Sequence, residues 1–414
     1  VTPRERRLRW ATGDPLDLAV FRIAVSVVVL GSADVWEAHT WARAVVAPPA
    51  GWGLVGAWLP PSERSALVMT AVVLVAALLT LVGCFTRIAA TVGALGLAWL
   101  LAVPQHSGQV LHTHHLVWFF ALVAAGPSGD ALSWDAWRAG RERPAPSLAH
   151  GLPVRFAWLA IGLLFFFPGA WKLHGGVEWL HALPALVEWK RFQLGLPLAA
   201  PLPALLLEVG GVVTVALELF VGVLFLFRRT RVVAACAGLV FHLGVQVVMG
   251  IGFSSLWACY VVFGDWARWA QPPRVASVGW RGTLPTLLVG GALVLAQVVT
   301  GVAGREDTWP VACYPTFRYP APATVRWVEI DELDAHGAWR PALRLDDLRG
   351  REGQRWWGLA ARTVAQPTRE ALLTLHRQWH GGEVGQGRYF VVSWRPGSSE
   401  PPRRSELFPE RDEP

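Results

Sequence analysis

The sequence predicts an all-α polytopic membrane protein of about nine transmembrane helices, followed by a small C-terminal α+β extracytoplasmic domain. Three observations predict it. Hydrophobic residues make up 53% of the 414-residue chain and charged residues only 16%, against roughly 25% charged in a soluble domain. The apolar residues gather into runs of spanning length at 16–35, 65–84, 88–104, 111–126, 155–173, 203–227, 232–249, 252–267 and 283–303. Past residue 303 the long runs stop, and 16 arginines face 16 acidic residues. The boundary between the two expected domains is therefore set at 303/304.

Arginines orient the runs. Arg4, Arg6, Arg7 and Arg9 precede the first. Arg87, then Arg138, Arg141, Arg143 and Arg155, then Arg228, Arg229 and Arg231, then Arg268, Arg274 and Arg281 all fall on one side when nine spans are threaded. The positive-inside rule makes that side cytoplasmic. A multi-pass protein of the cell (plasma or inner) membrane is expected, with its N-terminus inside and residues 304–414 outside. The apolar run behind the basic opening is long enough to stay as a helix instead of serving as a cleaved leader. The lipid bilayer is the first expected partner. The net charge of +7 is mostly this arginine and speaks for topology, not for a nucleic-acid partner. In the tail, "TVRWVEI" and "GRYFVVSW" alternate like strands and "TREALLTLHRQW" has helical spacing. The Pro-rich, charged stretch 398–414 reads as a frayed end.

Cys84, Cys236, Cys259 and Cys313 form no CxxC pair, so neither a disulfide framework nor a thiolate metal site is expected. The cationic residues say more. Of 37 lysines and arginines, only Lys172 and Lys190 are lysines. Arginine carries charge but does not give up its proton, whereas a desolvated lysine can. A lysine in this chain therefore points to a need for deprotonation.

Ionisable groups inside spans are costly, and so are functional candidates. Lys172 follows Arg155 by 17 residues, roughly 25 Å of helix from the inner face. A lysine there can snorkel to the headgroups or be held out of water as a base. His174 beside it, and a Gly175-Gly176 step that lets the chain fold over the site, argue for the base. His106, His112, His114 and His115 cluster at the same outer face, with His112 and His115 on one helix face. They fit hydrogen bonding better than metal ligation, because no acidic or thiol ligand lies near them in sequence; no metal is expected. Glu218 and His242 both project to about 15 Å from the inner face on consecutive helices. They either specify helix packing or line a cavity for a polar headgroup. Gln246 lies one turn beyond His242, and Arg22 reads as a snorkelling or packing residue.

These motifs resemble a known family. "DPLDLAVFR" (14–22), "GCFTR" (83–87), "GAWKL" (169–173), "ALELFVGVLFLF" (216–227) and "FHLGVQVVMGIGF" (241–253) run in order. They are similar to the membrane domain of the vitamin K-dependent gamma-carboxylases, the HTTM (horizontally transferred transmembrane) family, with the matches spread over 14–270. The family's catalytic lysine falls on Lys172 and its buried acid on Glu218. Its signature histidine falls on His242, and its Ile-Gly step on Ile251-Gly252. The family's Asn-His before the fourth helix appears as "HTHHL", so that role could fall to His112, His114 or His115. The amides beyond the signature histidine are reduced to Gln246, and the tail of about 110 residues is far smaller than the luminal region of the animal enzymes.

The resemblance implies a lyase-type gamma-glutamyl carboxylase. Lys172 would take a proton from reduced vitamin K or a menaquinol-type hydroquinone. O2 would convert the quinol into a base strong enough to remove the γ-proton of a glutamate in a peptide or protein. CO2 would add, and the quinone would leave as its epoxide. A histidine of the 112–115 cluster, or His242, would hydrogen-bond the developing oxyanion. Glu218, Gln246, Trp171, His174, Gly252 and Phe253 would surround the quinol. Two alternatives stay open: a quinol-dependent oxidoreductase or epoxidase that does not carboxylate, and a non-catalytic membrane scaffold or lipid-binding protein.

Overall fold

The computed structural model describes residues 9–42, 59–107, 113–198, 202–227, 229–270, 279–306, 308–313, 321–365, 367–398 and 400–408. Helix α1 (Pro15–Gly31) opens on Asp14, whose side chain accepts from the Leu16 amide at 2.8 Å, with a proline at the first helical position. Helix α2 (Glu63–Val82) starts at a Ser62–Ser65 capping box and stops at Gly83 in the left-handed region. Helix α3 (Thr86–Leu100) is capped from a distance: Asp135 accepts from the amides of Phe85 and Thr86 and from the Thr86 hydroxyl. Helix α4 (His114–Ala125) follows, then α5 (Leu148–His174), the longest. A 3-10 turn at Val177–His181 leads to α6 (Leu183–Gln193), and α7 (Ala204–Leu224), α8 (Arg231–Met249) and α9 (Leu284–Val302) complete the helical unit.

Among the described residues, six helices are long and apolar enough to cross a membrane, not nine. The run at 16–35 resolves into the 17-residue α1 and a separate turn at Ala33–Trp36. The run at 111–126 gives only the 12-residue α4, buried on nearly every side. The run at 252–267 is broken into pieces at Ser254–Trp257, Ala258–Phe263 and Trp266–Ala270. Leu18, Phe21, Trp118, Phe119, Cys259 and Phe263 from these runs share one core cluster. Their apolar character serves the protein interior. The long helices instead leave Val68 and Val75, Leu205 and Phe220, and Val233 and Val247 exposed, a surface suited to lipid.

Small residues set how closely α5 and α7 approach. A Cβ on Gly222 would stand 2.7 Å from the Gly162 carbonyl oxygen, and one on Gly169 would stand 2.8 Å from the Glu218 Cβ. Gly162 meets Gly222 while Gly169 meets Glu218, so the helices run antiparallel in near backbone contact. Gly222→Val is expected to destabilise the protein by about 1–3 kcal/mol through overpacking, checked by thermal unfolding in detergent.

The C-terminal unit holds a four-stranded antiparallel sheet in the order β2-β1-β3-β4: β1 (Val325–Leu333), β2 (Trp339–Leu343), β3 (Gly387–Trp394) and β4 (Arg403–Leu407). Helices α10 (Gly350–Ala365) and α11 (Arg369–His380) pack with it. The stretch read as a frayed end thus supplies β4, an edge strand paired to β3 through residue 407. Phe192 at the end of α6 enters this unit's core and stacks on Trp394 at 4.1 Å between ring centroids. The helical unit and the sheet unit are joined through that ring.

Candidate functional site

Helix α5 brings Lys172 to the site from its last turn. The side chain is buried, and its Nζ donates to both carboxylate oxygens of Glu218 on α7, at 2.6 and 2.7 Å. The two residues were expected at different depths. Helical side chains lean toward the N-terminus of their own helix. Because α5 and α7 are antiparallel, Lys172 and Glu218 lean toward each other and close the gap that the residue count predicts. The count also started from the wrong place: Arg155 lies inside α5, stacked on Trp158 at 3.8 Å and bonded to the carbonyls of Trp10 and Thr12.

The chain then turns over the ion pair. Helix α5 ends at His174, and Gly176 takes φ +93° and ψ 178°, a conformation open essentially to glycine alone. The turn that follows carries Trp179, whose ring centroid lies 4.8 Å from the Lys172 Nζ. Trp179 is itself buried and closes that side against water. The Gly175-Gly176 step folds the chain back as its composition suggested.

Lys172, Glu218, Trp179, His242, Phe165 and Phe253 line one narrow cavity of about 60 Å³. Its remaining wall is apolar apart from Thr214. The His242 ring is clamped between Phe165 and Phe253, at centroid distances of 5.2 and 4.6 Å with near-parallel planes. Its Nδ1 lies 3.4 Å from the Tyr260 hydroxyl oxygen. The imidazole is therefore fixed in orientation by rings on both faces and a hydroxyl at one edge.

Other expected site residues lie elsewhere. His114 and His115 are buried, but against Trp118 and Trp309 and against Phe119, outside the cavity wall. His112 lies outside the described residues. Trp171 faces α9 and donates to the Gly301 carbonyl at 2.7 Å. His174 is exposed and packs edge-on to Trp171. Gln246 is exposed, close to Gly252 and not in the cavity wall. Arg22 is a packing residue: its guanidinium donates to the carbonyls of Ser128, Ala131 and Leu132. Lys190, the second lysine, donates to Gln193 at 2.9 Å on α6, and burial pushes its ammonium down to about 8. Trp179, Phe165 and Tyr260 belong to the site and were not singled out from the sequence. Only the glycine step before Trp179 signalled any of them.

The arrangement supplies one base-acid pair, one oriented imidazole and aromatic walls, with little else polar. That set suits a flat aromatic ligand with oxygen substituents, and the apolar walls must part to admit one, since the cavity is smaller than the usual small-molecule site. No curated protein and no solved structure matches the chain. The family model for the HTTM domain matches residues 10–264, a stretch that contains α1, α5, α7, α8 and every wall of the cavity. The chain belongs to the HTTM domain family.

Proposed function

We propose that the chain is an integral-membrane enzyme that carboxylates glutamate residues of a peptide or protein, driven by oxidation of a vitamin K-type quinol by O2. The observation that supports this reading is the Lys172–Glu218 pair, buried at the wall of an aromatic cavity beside His242. A bound quinol supplies reducing power and, with O2, the strong base that the γ-position of glutamate requires, and is released as its epoxide. The rest is work for this chain. Glu218 accepts the Lys172 ammonium proton across bonds of 2.6 and 2.7 Å, which leaves a neutral amine and a neutral acid sharing the pair's one proton. The Lys172 amine then takes the hydroxyl proton of the quinol. His242, clamped by Phe165 and Phe253, donates to the quinol oxygen as negative charge builds on it. Trp179 and the apolar walls exclude water, which protects a strong base from quenching.

On this reading the protein lies in the cell membrane with its N-terminus cytoplasmic, and its partners are lipid, the quinol and a glutamate-bearing peptide. The test is direct. Purified protein in detergent is given reduced vitamin K, O2, labelled bicarbonate and a glutamate-rich peptide. Epoxide together with labelled peptide supports the carboxylase. Epoxide without label points to the quinol oxidoreductase, and neither product leaves only a scaffold or lipid-binding role. His242→Ala is expected to lower the epoxidation rate about 10²- to 10³-fold, as loss of one oxyanion donor does.

A further inference from the structure

We infer that Glu332, His376 and His380 form a site for a divalent transition metal of the zinc type, in the C-terminal sheet unit. His376 and His380 stand one turn apart on α11, the i, i+4 spacing that lets two imidazoles face one ion. Glu332 comes from β1. Its Oε1 accepts from the Gly385 amide at 3.1 Å, which turns Oε2 to the histidines. That oxygen lies 2.6 Å from His380 Nε2 and 3.9 Å from His376 Nε2. The three candidate ligand atoms all lie within 4.8 Å of one another.

His376 is the observation that calls for a ligand. Its side chain is wholly buried, and its Nε2 has no hydrogen-bond partner among the described residues. A buried nitrogen left so costs free energy that a hydrogen bond or a metal would recover. Its other nitrogen, Nδ1, lies 3.3 Å from the Tyr389 hydroxyl oxygen. Metal-bound histidines are held in this way, with the outer nitrogen fixed and the inner one aimed at the ion. The glycine at 387 keeps the room for it: a Cβ there would stand 3.0 Å from both His376 Nδ1 and the Tyr389 hydroxyl.

Two imidazoles and one carboxylate are a donor set for zinc, or for cobalt or nickel in its place. Ligand bonds near 2.0–2.2 Å require His380 to move off Glu332 as the ion enters between them. The His380 side chain is 45% exposed and has the space to do so. Its exposed side leaves a coordination position for water. The site would pin α11 to β1 and owes nothing to the quinol chemistry.

The test uses the full chain in detergent, stripped with a chelator and titrated with zinc chloride and separately with cobalt chloride. Wild type is expected to bind one zinc more per chain than His380→Ala, and its cobalt form to show visible absorption bands that His380→Ala and Glu332→Gln lack. His380 is partly exposed, so its loss leaves the fold in place. Tyr389→Phe, which only orients His376, is expected to weaken zinc binding about 10- to 100-fold. Equal zinc stoichiometry and equal cobalt spectra in wild type and His380→Ala would overturn the proposal. The cluster would then be a hydrogen-bonded tie between α11 and β1.

Discussion

Lys172→Arg is expected to lower quinol epoxidation about 10²- to 10⁴-fold, the contribution of a positioned general base, and Lys172→Ala to do the same. The arginine variant is the sharper of the two. A guanidinium keeps the positive charge and can donate to both Glu218 oxygens as a bidentate partner. It does not give up its proton. Fold and ion pair are thus preserved while the capacity to act as a base is removed. If the arginine variant turns over quinol at the wild-type rate, Lys172 is an electrostatic partner of Glu218 and not a base. The measurement is epoxide formed per enzyme under saturating O2, with incorporation of labelled bicarbonate into peptide followed in parallel. The two signals should fall together if one proton abstraction feeds both.

Lys172 was legible because the chain spends arginine wherever charge alone is needed; a lysine among 37 cationic residues, of which two are lysine, stands out. Its partner was legible as a residue but not as a contact. Counting 1.5 Å per residue locates Cα atoms, while the ion pair is made by side chains that lean several ångströms along opposed helices. The same kind of limit explains the spans. The run "LHTHHLVWFFALVAAG" is as apolar as its neighbours, yet Trp118 and Phe119 are packed in protein; composition does not distinguish a core from lipid. The strands around Trp327 and Phe390 announced themselves by alternation. Strand β4, "RRSEL", did not, since an edge strand carrying arginine and glutamate owes its place to pairing with β3. Trp179 was invisible for a third reason: it reaches Lys172 only through the backbone turn at Gly176.

Glu218→Leu is expected to destabilise the protein by about 3–5 kcal/mol, the cost of leaving one member of a buried ion pair without its counter-charge. Lys172→Met should cost a similar amount by stranding the carboxylate. The double variant Lys172→Met/Glu218→Leu should unfold close to wild type, because removing both charges also removes both desolvation penalties. Thermal unfolding of the four proteins in one detergent checks this as a double-mutant cycle. Losses that simply add would mean that the two side chains do not act as a pair. Strong non-additivity, with the double variant folded and inactive, carries a further consequence. A pair that can be deleted as a unit without loss of stability is not there to hold α5 against α7. The Gly162–Gly222 and Gly169–Glu218 backbone approaches already do that. The proton shared between Lys172 and Glu218 is then retained for what happens in the cavity it faces.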